Sequence, residues 1–284
     1  MDLKVGIQLF SVKEAMQKDP VEAIRKVASL GYKNLEFANH RAAEDPGVGF
    51  GVSVEEMKAL LDETGSHAIS AHVGPLNEET IDSVIAYHKA IGSDTLVIPM
   101  AFYESEEDAH AKAAEFNRLG QRCRENGMRL LYHNHYHEFQ KLNGKEILYH
   151  IMDNTDPKYV SFELDTFWAM RGGMDPVEVM KRLGSRLKLV HQKDFSKTST
   201  SPVNLWTVKD PETLITRETF GEGMDPKDFC EIGTGIMDIQ TIIDTANALG
   251  AEYIVLEQDH TQLTQMESVR ISMDSFKKFS GLDW

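Results

Sequence analysis

Residues 130–139 read LLYHNHYHEF, an apolar run that breaks abruptly into His133, His135, His137 and Glu138. Three later segments end in the same way: FELDTFWA at 162–169, LKLVHQKDF at 187–195 and YIVLEQDH at 253–260. Each delivers imidazole or carboxylate where a buried strand would emerge. Carboxylates with an imidazole or two are the donor set of a hard or borderline divalent cation, such as Mn²⁺, Mg²⁺, Co²⁺ or Zn²⁺. Four such ends, far apart in sequence, point to one ion held by separate strands, with Asp165, His191 and Glu257 as its first three ligands. The fourth is open among His133, His135 and Glu138. Residues two apart on a strand share a face, so His133 and His135 point the same way. Glu138 lies beyond the strand and reaches the ion only by folding back. A histidine left off the metal can orient a ligand or act as a base near neutral pH. By the same alternation Lys193 shares the face of His191, where its ammonium can hold a substrate oxygen; the alternative is an ion pair with Asp194 or Glu163. His137 reads as a solvated loop residue, and His88, His110 and His150 fall in helical patterns and read as structural.

The groups must be positioned by the elements around them. Short apolar runs at 5–12, 32–38, 67–74, 94–101, 128–135, 158–169, 186–195 and 251–259 alternate with amphipathic stretches at 19–31, 53–65, 77–92, 106–127, about 144–154, 175–184, 238–250 and about 264–280. Asp19 before Pro20 and the Ser53/Glu56 pair are helix-start signals, and Gly31, Gly65, Gly92, Gly127 and Gly250 stop helices directly before strands. Eight strand–helix units imply a parallel sheet buried on both faces. At 284 residues they predict an α/β fold, a closed (β/α)8 TIM barrel, as one domain over 1–284. A doubly wound open sheet is opposed by the absence of a glycine-rich turn at 11–19. In such a barrel chemistry sits where strands run into βα loops, so Gln8, Glu36 and His72 join the same rim and, with Glu163, Asp194 and Asp259, are candidates for substrate contact. Residues 196–237 lack periodicity and form a long βα loop, read either as a mobile surface excursion or as a lid that closes Trp206 or Phe220 over substrate.

Bulk composition narrows the partners. A net charge of −15 opposes nucleic acid, which needs a basic face, and an anionic membrane surface. No apolar run approaches the ~18 residues of a membrane span. Two distant cysteines, Cys123 and Cys230, form no disulfide framework, which fits a reducing compartment. The expectation is a cytoplasmic protein acting on a small molecule, with a homo-oligomer left open.

The strings GIQLFSV, YHNHYHEF, ELDTFWA with MDPVEVMKRLGSR after it, HQKDF, EIGTGIMD and LEQD span almost the whole chain. Together they resemble the xylose isomerase-like TIM barrel superfamily, and within it the sugar phosphate isomerases/epimerases, on a branch similar to inosose dehydratases and 3-keto-glycoside enzymes. The resemblance implies one divalent ion bound through Asp165, His191 and Glu257. It also implies a glutamate at the end of the fifth strand, where this chain has His133. A symmetric epimerisation by two metal-bound glutamates is thereby disfavoured. Trp168 stands where the superfamily often has histidine, and could stack on a sugar ring.

These readings converge on a metal-dependent sugar isomerase/epimerase or lyase. His133, His135 or Glu257 would remove the proton α to a carbonyl of a keto-sugar or cyclitol, with Lys193 aiding the charged intermediate. Two other classes stay open. An endonuclease IV-like nuclease is opposed by the acidic charge and by too few ligands for a trinuclear centre. A non-catalytic sugar-binding barrel would keep the pocket without the chemistry.

Overall fold

The computed structural model describes residues 2–222 and 224–284. Eight strands form a closed parallel cylinder: β1 (Leu3–Gln8), β2 (Asn34–Asn39), β3 (His67–Val73), β4 (Thr95–Ile98), β5 (Arg129–His133), β6 (Val160–Asp165), β7 (Leu187–Gln192) and β8 (Tyr253–Leu256). Each pairs with the next along the chain, and β8 closes on β1 with Val5 beside Ile254 and Gly6 beside Val255. Parallel neighbours need a crossover. The crossovers carry α1 (Pro20–Ser29), α2 (Val54–Thr64), α3 (Ile81–Ala90), α4 (Glu106–Glu125), α5 (Ile147–Asn154), α6 (Pro176–Leu183) and α7 (Ile239–Leu249), and α8 (Gln265–Phe276) follows β8. The (β/α)8 TIM barrel read from the alternation is the fold.

Local signals set the helix ends. The Asp19 side chain accepts from Glu22 N, and Ser53 and Glu56 form a reciprocal capping box. Gly65 and Gly250 end α2 and α7 in the left-handed conformation, with φ of 61° and 77°, which a Cβ would penalise. One expected strand is too long: residues 166–171 form a short helix. Its cause is Asp165, whose Oδ1 accepts from Trp168 N at 2.8 Å and so turns the chain into a helix at the strand end. Residues 13–18 are also helical, between the first strand run and the first helical pattern of the sequence.

Inside the cylinder, Val97, Leu131 and Leu189 form an apolar plug with Tyr253 against it. Two residues further along β5 and β7 the inward positions become His133 and His191, so the polar centre stands on a dry floor. No helix among the described residues is long and apolar enough to cross a membrane.

The long loop after β7 is tied down. Its Phe229–Cys230 segment pairs antiparallel with Asp194–Phe195. Arg171, 1% exposed, donates to Asp228 Oδ2 at 2.9 Å and to Pro202 O at 2.6 Å. Gln140 Nε2 holds Pro211 O and Thr213 O, and Tyr136 Oη donates to Phe220 O at 2.7 Å. Tyr136, Phe167, Trp168, Phe195, Leu205, Ile215 and Phe229 make a second apolar cluster under the loop, with Trp206 and Phe220 against it.

Candidate active site

Strand alternation turns Glu163 and Asp165 on β6 inward, together with His191 on β7, Lys193 just past it and Glu257 just past β8. Register aligns them: His133 lies beside Glu163, and Asp165 beside His191. His133, Asp165, His191 and Glu257 are buried, and each offers a ligand atom within 4.8 Å of the others. A second set, His72, His133, Glu163 and His191, meets the same condition and shares both histidines.

Hydrogen bonds fix the tautomer of His133. Burial pulls its imidazole down to about 3, so it is neutral at working pH. Its Nδ1–H donates to Glu163 Oε2 at 3.0 Å. The lone pair therefore sits on Nε2, which faces Asp165 Oδ2 at 3.9 Å. His191 differs. Burial lowers it, but Glu163, Glu36 and Glu257 outweigh that and hold it well above the usual range. Its Nδ1 donates to Glu257 Oε2 at 2.9 Å and its Nε2 to Glu36 Oε1 at 2.6 Å. Lys193 is fully buried and donates to both Asp165 Oδ2 and Glu257 Oε2, with Asp259 Oδ2 at 3.7 Å. Its partners are thus two ligand-type carboxylates, and neither Asp194 nor Glu163.

The donors fit a divalent cation on two observations. Glu36, Glu163, Asp165 and Glu257 are all at most 7% exposed, against Lys193 and the His191 imidazolium among them; four buried carboxylates facing two cations leave room for a further cation, and His191 would give up one proton to become its ligand. In addition, Glu163 Oε1 is buried without a hydrogen-bond donor. Glu163 Oε2 is taken by His72 Nε2 at 2.5 Å and by His133, and Asp165 Oδ2 and Glu257 Oε2 by Lys193, so either set gives up a hydrogen bond to an ion; the Asp165 and Glu257 set is the one that the free Nε2 of His133 faces.

Several residues land elsewhere than the sequence suggested. Glu138 is buried, but its oxygens accept from Tyr132 Oη at 2.7 Å and His135 N at 2.8 Å, and it belongs to neither ligand set. Folding back takes it to its own strand end and not to the ion position. Asp194 faces the turn at 233–237: its carboxylate accepts from the backbone N–H of Phe195, Gly233, Gly235 and Met237, which leaves nothing for substrate. Gln8, Glu36 and His72 are sealed from solvent. Gln8 Nε2 bridges Glu36 Oε1 (3.2 Å) and His72 Nδ1 (3.0 Å), so this layer orients His191 and Glu163. His137 is 1% exposed, with Nε2 bonded to Ala101 O at 2.8 Å, and is no solvated loop residue.

Other residues gather at the mouth. The His135 ring lies 5.0 Å from His133, 5.8 Å from Trp168 and 5.2 Å from Phe220. Burial pulls it well below the ordinary range, and its Nδ1 is buried without a partner. Trp168, 3% exposed, has Lys193 Nζ 5.9 Å from its ring. Asp259 keeps 16% of its side chain exposed at the edge of the cluster. Sequence reasoning missed Asn134, whose side chain bonds Asp165 N (3.0 Å) and Asp165 O (3.2 Å) and so ties the ends of β5 and β6 together. An amide between two inward histidines was the available signal. It also missed Lys13, whose Nζ donates to Asp259 O at 3.0 Å; nothing local marks that long-range contact.

Comparison with known proteins agrees with this fold. The chain is 28% identical over 265 residues to an inosose dehydratase of Clostridium perfringens, covering 84% of this chain and 82% of that one. A sugar phosphate isomerase/epimerase from Parabacteroides distasonis superposes over 100% of this chain and 96% of its own, with a TM-score of 0.78 and 26% identity. An IolI protein with a bound zinc atom shares the fold alone, at a TM-score of 0.69 and 12% identity over 97% of both chains. The sequence profile described as "Xylose isomerase-like TIM barrel" matches residues 24–279. The chain belongs to the xylose isomerase-like TIM barrel family.

Proposed function

We propose that this protein is a divalent-metal-dependent enzyme that removes the proton α to a carbonyl of a keto-sugar or cyclitol, and that the step leads to elimination of water or to epimerisation. The observation that carries the reading is the convergence of Asp165, Glu257, His191 and the free Nε2 of His133 above an apolar barrel floor. His133, in place of Glu138, completes the ligand set in this proposal. A bound ion supplies Lewis-acid stabilisation of the developing oxyanion. The Lys193 ammonium, already held by two carboxylates, donates to the same oxygen. His135 is neutral and its Nδ1 has no partner, so it can accept the α-proton; general-base help of this kind is worth about 10²–10⁴-fold. Trp168 and Phe220 form an aromatic wall against a sugar ring, and access requires the 196–237 loop to lift.

Elimination is favoured over symmetric epimerisation. A neutral imidazole stands at the fifth strand end where a second metal-bound carboxylate would be needed, and the inosose dehydratase relatives point the same way. The test is α-proton exchange in D₂O with a panel of inososes and 3-keto-sugars, before and after EDTA. Exchange that EDTA abolishes and Mn²⁺, Co²⁺ or Zn²⁺ restores is expected. Exchange that survives complete metal removal refutes the metal reading.

A further inference from the structure

A second group of ligand-type side chains lies outside the barrel, where α4 meets α5. Glu106 and His110 sit one turn apart at the start of α4, and His150 faces them from α5. Glu106 Oε1 is 3.7 Å from His110 Nε2 and 3.7 Å from His150 Nδ1, and the three donor atoms all lie within 4.8 Å of one another. At 3.7 Å neither contact is a hydrogen bond.

His150 carries the argument. Its side chain is 4% exposed. Its Nε2–H donates to Leu142 O at 2.9 Å, which leaves the lone pair on Nδ1. That Nδ1 is buried without a partner and faces Glu106. A histidine whose far nitrogen is held by a backbone carbonyl is the arrangement that orients metal-binding imidazoles. Glu106 is oriented too: its Oε2 accepts from Asn143 Nδ2 at 2.5 Å, which leaves Oε1 for the histidines. A tetrahedral ion with bonds of about 2.0–2.1 Å separates its ligands by roughly 3.4 Å. The 3.7 Å spacings need only a small contraction, and the 40%-exposed side chain of His110 is free to make it.

We infer that Glu106, His110 and His150 form a second cation site, distinct from the barrel centre, for a borderline divalent ion of the Zn²⁺ class. Water completes the shell. Such an ion cross-links α4 to α5 and, through Leu142 and Asn143, fixes the Lys141–Glu146 hairpin.

The full-length chain, stripped with EDTA, is titrated with Zn²⁺ by calorimetry, and retained metal is counted after desalting. His110→Ala changes an exposed side chain, and circular dichroism checks its fold. If both centres bind, wild type takes up two equivalents, His110→Ala one, Asp165→Asn one and the double variant none. Glu106→Gln weakens the second site at least tenfold. Should wild type take up a single equivalent that His110→Ala abolishes, the outer site stands and the barrel reading fails. Zn²⁺ stoichiometry and affinity unchanged by both His110→Ala and Glu106→Gln overturn the inference.

Discussion

Arg171→Met removes the buried strut between the short 166–171 helix and the long loop. The guanidinium makes two charge-assisted hydrogen bonds, to Asp228 Oδ2 at 2.9 Å and to Pro202 O at 2.6 Å, and lies 5.1 Å from the Phe195 ring centre. At about 1.5–3 kcal/mol per such bond, the loss is roughly 3–6 kcal/mol before methionine refills part of the volume. Asp228, 1% exposed, stays buried with Ser199 Oγ at 2.6 Å and the Asp225 N–H at 3.4 Å to support its charge. Breaking one side of a buried pair costs about 3–5 kcal/mol, so both routes agree on about 4. Urea unfolding measures it, and limited trypsin digestion at Lys209 or Arg217 should quicken as the loop loosens. Arg171→Met/Asp228→Leu removes both partners and should regain most of the loss, because no bare carboxylate remains. A loss under about 1 kcal/mol for the single variant, or a double variant as unstable as the sum of the singles, refutes the view that a buried charge anchors this loop.

Asp165→Asn keeps the cap on Trp168 N but removes a ligand charge, and should weaken metal binding at the barrel centre and slow α-proton exchange by at least tenfold each, with an unchanged melting temperature or a higher one. His88 is fully buried and burial pulls it down to about 4. It is neutral in the fold but protonated in the unfolded chain below about pH 6.5, so the unfolded state binds the extra proton. Stability is therefore full above pH 6.5 and falls as pH drops toward 4, by about 3 kcal/mol; His88→Gln should flatten that part of a urea pH series, and an equally steep curve argues against the assignment. Gly120→Ala puts a Cβ 2.3 Å from the Tyr159 carbonyl oxygen, an overpacking that outweighs the gain in helix propensity and should cost about 2 kcal/mol in thermal unfolding. Trp168→Ala should raise KM for a keto-sugar by about tenfold while leaving metal stoichiometry intact; loss of bound metal instead would assign Trp168 to the architecture of the centre.

The sequence by itself determined the barrel. Each strand run is short and apolar, each helix carries its own start and stop signals, and both codes act over a few residues, so eight units could be counted without knowing their contacts. It also determined that Asp165, His191 and Glu257 meet, because a strand end in a (β/α)8 barrel has one destination. What only the tertiary structure decided is how each polar group is spent. His133 and Glu138 are five residues apart and both belong to the donor class, yet Tyr132 and the His135 backbone take Glu138, while Glu163 fixes the proton of His133 and frees its other nitrogen. Lys193 pairs with carboxylates 28 and 64 residues away, and His150, unremarkable in a helical pattern, faces Glu106 across two helices. Residue type sets what a side chain can bind. Which partner it does bind depends on distances of a few ångströms between segments far apart in the chain, and only packing fixes those.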